Sequence, residues 1–149
     1  MAPRRRGRGV DATGRSKKPQ PFVMLPLHVF DSLAYRFLKP GPRSMLWELI
    51  RRYNGLNNGE IVMSARQACE ALNIFDKDTA LRYLAALQDC GLIKPTKLGG
   101  FNIKDPANSR ATEWALTWHR LHDQPPTKEF MKWKPAKKCG PENAKITSG

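Results

Sequence analysis

The strongest constraint in this chain lies in residues 64–93, where two stretches of helical period stand only three or four residues apart. Ser64 is a good helix N-cap, and Ala65, Ala68, Cys69 and Leu72 then place apolar groups on one face over two turns. A helix is predicted over about Ala65–Leu72, followed by a tight turn at Asn73-Ile74-Phe75. Asp76 or Lys77 opens a second helix whose buried stripe is Ala80, Leu84 and Leu87, and Gly91 supplies its C-terminal stop. Two short helices so closely joined must cross at an angle and share one core, which is the helix-turn-helix layout.

The flanking segments extend this unit. Val29, Phe30, Leu33, Ala34, Phe37 and Leu38 recur at three- and four-residue steps, predicting one amphipathic helix over Leu27–Leu38 that ends at Lys39-Pro40-Gly41-Pro42. Ser44 to Tyr53 repeats the period, with Met45, Leu46, Leu49, Ile50 and Tyr53 inside and Glu48, Arg51 and Arg52 outside. Asn57-Asn58-Gly59 is a turn leading into a short strand at Ile61–Met63. After the helix pair, Leu92–Leu98 reads as a strand, Gly99-Gly100 as a hairpin tip and Phe101–Lys104 as the return strand, which together form a wing. Ala111–Trp118 alternates Thr112, Trp114, Leu116 and Trp118 against Glu113, Ala115 and Thr117, the period of a half-buried strand. Either this segment or Phe101–Lys104 is the main partner of Leu92–Leu98. The fold expected is α+β, a winged helix-turn-helix: a helical bundle with a small antiparallel β-wing.

Charge sets the domain limits. The chain has 149 residues and a net charge of +13, and the excess is uneven. Residues 1–20 hold seven basic residues and one acidic (+6), residues 125–149 six and two (+4), and residues 21–124 thirteen and ten (+3). The first twenty residues have Val10 as their single bulky aliphatic residue after Met1 and read as a disordered basic arm. The folded domain is expected over 21–123. A Lys- and Pro-rich tail follows at 124–149, partly docked through Phe130, Met131 and Trp133. Such a basic excess points to a polyanionic partner, above all nucleic acid. No stretch reaches the roughly 18 apolar residues of a membrane span, and no apolar run follows the N-terminal arginines, so a membrane partner is not expected. Cys69, Cys90 and Cys139 are odd in number and widely spaced, which suits a reducing, cytoplasmic setting.

These residues resemble the winged helix-turn-helix proteins of bacterial phages, plasmids and other mobile elements, similar in appearance to the N-terminal domains of plasmid replication initiators. The resemblance is carried by Ser64-Ala-Arg-Gln-Ala-Cys-Glu-Ala-Leu-Asn-Ile, by Lys77-Asp-Thr-Ala-Leu-Arg-Tyr-Leu and by Gly91-Leu-Ile. A wider frame includes Phe22-Val-Met-Leu-Pro, Asp31-Ser, Arg51-Arg-Tyr-Asn-Gly, Ala111-Thr-Glu-Trp-Ala-Leu-Thr and Pro126-Thr-Lys-Glu-Phe-Met-Lys-Trp, so that it covers residues 21–133. It implies binding of double-stranded DNA without catalysis and leaves the role open between transcription and replication control. The role expected is a nucleoid-associated transcription regulator of a phage-like or mobile element; a plasmid or phage replication initiator is the alternative. A nucleoid, architectural or RNA-binding protein driven by the arm, and a protein-interaction module using Leu81 and Phe75, are different classes. The family often has a small polar residue where Leu81 stands.

In a helix-turn-helix the start of the second helix enters the major groove, so Lys77, Asp78, Thr79, Leu81 and Arg82 are the candidate base readers. Arg82 suits guanine O6 and N7, Asp78 suits cytosine N4, and Leu81 suits a thymine methyl. Asp78 could equally cap its own helix. Ser64, Arg66 and Gln67 at the start of the first helix would hold phosphate. Lys94, Lys97 and Lys104 flank the wing and could straddle phosphates or guard a strand edge. Arg4, Arg5, Arg6 and Arg8 of the arm suit a narrow minor groove. A homodimer and the transcription or replication machinery are further partners to consider. His119 and His122 have the spacing of a metal pair but lack a third ligand, and no cofactor is expected. Trp114 and Trp118 read as core rather than as base-stacking groups. Catalytic signatures, such as a nucleophile triad, a phosphate loop with its lysine or a carboxylate cluster, do not occur, so an enzyme is not expected.

Overall fold

The first departure from the sequence periodicity comes at Ser32. In the computed structural model, which describes residues 21–100, 104 and 110–136, the single helix predicted over 27–38 is two short ones, α1 (Leu27–Phe30) and α2 (Leu33–Arg36). Ser32 is extended (φ −64°, ψ 148°); its Oγ accepts from the Tyr35 amide at 3.3 Å and donates to the Val29 carbonyl at 2.6 Å. A hydroxyl that satisfies an amide in the first turn of a new helix competes with continuation of the old one. The break also changes the inward face: Val29, Ala34 and Tyr35 are buried, whereas Phe30, Leu33 and Phe37 stay exposed.

The longest N-terminal helix, α3 (Pro40–Arg52), begins four residues before the predicted Ser44, because prolines open it. A first-turn proline lacks only an amide that would find no partner in the helix, and its fixed φ is already helical. Met45, Leu46, Leu49 and Ile50 enter the core as expected.

Three strands form one antiparallel sheet in the order β1-β3-β2: β1 (Ile61–Val62), β2 (Ile93–Lys97) and β3 (Glu113–Leu116). Register runs Ile61 to Trp114 on one side and Ile93 to Leu116 on the other, so the Trp114 strand is the partner of β2. Gly99-Gly100 is therefore not a hairpin tip. Gly100 pairs with Arg110 through two backbone hydrogen bonds of 3.1 and 3.2 Å, so strand pairing reaches as far as this residue. A Cβ on Gly99 would stand 2.5 Å from the Arg110 carbonyl oxygen, which explains glycine at this crossing. Phe101–Ile103 of the predicted return strand lie outside the described residues.

Both faces of β3 and the residues just after it are covered: Trp114, Leu116 and Trp118 join the main core, and Ala115 and Thr117 are buried as well, not half-exposed as strand alternation suggested. Asn58 locks the end of this strand. Its Oδ1 accepts from the Leu116 amide at 2.7 Å, and its Nδ2 donates to the carbonyls of Leu116, His119 and Arg120. Phe130, in a 3-10 turn over Glu129–Met131, is fully buried with its ring edge-on to Trp118, and Trp133 packs at 6.0 Å from Phe37. Residues well past 123 thus belong to the packed body. Among the described residues no helix is long and apolar enough to cross a membrane.

Candidate functional site

Two helices carry most of the candidate residues, and local capping fixes where each begins. The first, α4 (Ala65–Leu72), has the predicted limits and opens with a reciprocal box: Ser64 Oγ accepts from the Gln67 amide at 3.2 Å, and Gln67 Oε1 accepts from the Ser64 amide at 3.1 Å. Both side chains are engaged in the fold. Arg66 projects outward and donates to Glu70 Oε1 at 3.3 Å one turn on. Asn73 ends the helix in the left-handed region (φ 53°), Ile74 tucks against the core, and Phe75 stands fully in solvent.

The second helix, α5 (Lys77–Asp89), is capped by Asp76, not by Asp78. Asp76 accepts from the amides of Asp78 and Thr79, both at 3.1 Å, and from the Thr79 hydroxyl at 2.6 Å. Arg82 Nη2 donates to Thr79 Oγ1 at 3.0 Å and lies 3.7 Å from Asp76 Oδ2. The Thr79 hydroxyl, then the Asp78 amide, hold the Asp76 carboxyl below its ordinary value of 3.8. The guanidinium of Arg82 is thereby laid along the helix start, while Asp78 stays exposed.

Ala80, Leu84 and Leu87 bury the inner stripe of α5, which leaves Lys77, Asp78, Leu81 and Arg82 exposed and Thr79 half-buried. Two of the exposed set, Leu81 and Arg82, line separate hollows on either flank of α5, and Lys77 lines a third with Arg66 and Phe75. An open concavity of about 1020 Å³ is lined by Ser64, Arg66, Leu81, Gln88, Gly99 and Arg110, so the starts of α4 and the middle of α5 face the base of the β2–β3 connection. A second, of about 710 Å³, has Thr79, Arg82, Tyr83, Phe37 and Trp133 in its wall. Leu81 and Arg82, neighbours in sequence, therefore look into different spaces.

The lysines of the predicted wing do not act together. Lys94 lies opposite Ala115 and lines a shallow hollow with His119 and Leu121, away from the α5 concavity. Lys97 pairs with Glu113 across the strands, Nζ to Oε2 3.1 Å. Lys104 is exposed, and Arg4, Arg5, Arg6 and Arg8 lie outside the described residues. Arg110 and Gln88 were missed by sequence reasoning; Arg110 reaches the concavity only because it pairs with Gly100, a contact with no sequence signal.

His119 stacks on Tyr53 with ring centroids 4.4 Å apart, and burial lowers its pKa. Among the described residues no group of three or more His, Cys, Asp or Glu side chains is placed to hold a metal ion. Cys69 and Cys90 are buried free thiols, and burial pushes Cys90 up to about 11. No protein-family model, curated protein or solved structure matches this chain.

Proposed function

We propose that this chain is a winged helix-turn-helix protein that binds double-stranded DNA with sequence selectivity, as a transcription regulator of a phage-like or mobile element. The observation that carries the reading is the convergence of three elements on one open face: the start of α4, the outer side of α5 and the base of the β2–β3 connection, with Arg66 and Arg110 in its wall. A helix presented outward with its inner stripe buried can enter a major groove, and a neighbouring β-connection can reach the backbone beside it.

Within this reading the residues take separate roles. Leu81 and Ala85, four residues apart and both exposed, offer apolar contact to thymine methyl groups. Arg82, held by Thr79 and Asp76, keeps further N–H donors for guanine or a phosphate. Arg66 and Arg110 supply positioning charge, and the net +13 draws the polyanion in.

Selection from random duplex DNA, at physiological salt with excess competitor, tests the proposal with the intact protein beside Arg82→Ala. An enriched motif that the variant loses, with weak non-specific binding retained by both, is the expected result. Absence of any enriched sequence overturns it.

A further inference from the structure

Among the described residues, half of the large hydrophobic side chains left in water fall in sixteen consecutive residues. Phe22 (80% exposed), Val23, Met24, Leu27 (71%), Phe30, Leu33 and Phe37 run along the N-terminal segment and the outer sides of α1 and α2, which pack on one another. Large exposed apolar side chains are ordinary when scattered, but a concentration of this kind marks a surface meant to be covered. At about 150–250 Å² per fully exposed large side chain, these seven leave on the order of 700 Å² of apolar surface in water. A standard specific interface removes ~800 Å² from each partner.

The two tails of this chain do not suit the cover. Residues 1–20, which lead directly into Phe22, carry Val10 as their one bulky aliphatic residue after Met1, and residues 137–149 carry only Ile146. Both segments are basic and polar, the wrong chemistry for a face of Phe, Leu and Met. The charges bordering the patch are of both signs: Asp31 at the end of α1, and Arg36 and Lys39 at and beyond the end of α2, all exposed. A second copy offers each of these charges its opposite, Asp31 against Arg36 or Lys39, around a matching apolar centre. None of the seven lines the concavity that holds Leu81, so covering them leaves that concavity open.

We infer that this face joins two copies of the chain in a symmetric dimer, with the α1–α2 surfaces packed on one another and Asp31 of each copy set against Arg36 or Lys39 of the other. The inference does not depend on DNA binding.

Sedimentation equilibrium on the free full-length chain tests it. The wild type is expected to dimerise reversibly with concentration. Leu27→Glu with Leu33→Glu, at positions already exposed, should raise the dimer dissociation constant by about tenfold or more, because four carboxylates per dimer would have to enter an apolar contact. Asp31→Arg should weaken association a few-fold, ~2–5 per edge pair, and adding Arg36→Asp with Lys39→Asp should restore it, which a merely misfolded variant cannot do. A wild type that stays monomeric at all concentrations overturns the inference. So does a dimer indifferent to both sets of variants when their far-UV dichroism matches the wild type.

Discussion

Asn58 shows how a single side chain can hold two distant pieces of chain. It is buried and its amide satisfies four backbone groups of residues 116–120, so truncation to alanine leaves several of them without partners in the interior. Asn58→Ala is expected to lower stability by about 2–3 kcal/mol, read from urea denaturation. Titration at single residues gives a second expectation. The Asp76 carboxyl is held below its ordinary 3.8, so its support of α5 is complete above that pH and is lost as pH falls through the lowered folded value. Amide chemical shifts of Asp78 and Thr79 should report this transition below 3.8, and Asp76→Asn should remove it. Cys90 behaves in the opposite sense: raised from 9.0 to about 11, its thiol should alkylate far more slowly in the folded chain than after denaturation when both are held near pH 9.

Helix ends decide which elements form. The limits of α4 and the start of α5 were legible in the sequence because their signals are local: Ser64 with Gln67 three residues on, Asp76 with Thr79 three residues on. Ser32 carries a signal of the same kind inside an apolar period, and the period alone predicts a continuous helix through it. At the far end of α5, Gly91 has φ 76°, and the amides of Gly91 and Leu92 return to the carbonyls of Gln88 and Leu87. A Cβ there would also stand 2.9 Å from the Phe130 amide nitrogen. Gly91→Ala should therefore cost about 1–3 kcal/mol, with a lower melting temperature by calorimetry and weaker seating of the Phe130 turn.

For the whole molecule, the uneven spread of charge is the organising fact. Of the net +13, six charges belong to residues 1–20, while the concavity beside α5 sets Arg66 and Arg110 at the edge of a largely apolar lining that includes Leu81, Leu98 and Trp114. Under the proposed function, affinity for DNA should fall steeply with salt. Deleting residues 1–20 should flatten the slope of log affinity against log salt by up to ~6, measured by fluorescence anisotropy with a fixed duplex. An unchanged slope would remove the arm from the contact. Leu81→Ser should leave that slope intact and weaken selectivity for thymine-bearing sequences, because it removes apolar contact and no charge.

Sequence alone determined what depends on neighbours along the chain: the mixed α and β character, the helix pair with its turn, the buried stripe of Ala80, Leu84 and Leu87, and the strand period that puts Trp114 and Trp118 in the core. Periodicity and capping act within a few residues, so they can be read from the order of residues. Tertiary structure decided what depends on residues far apart. It selected the Trp114 strand as partner of β2 and set Arg110 across from Gly100. It also turned Leu81 and Arg82 into separate hollows and left Phe30, Leu33 and Phe37 outside. A strand's partner and a side chain's company follow from which surfaces can be buried together, and that competition is settled only when the whole chain packs.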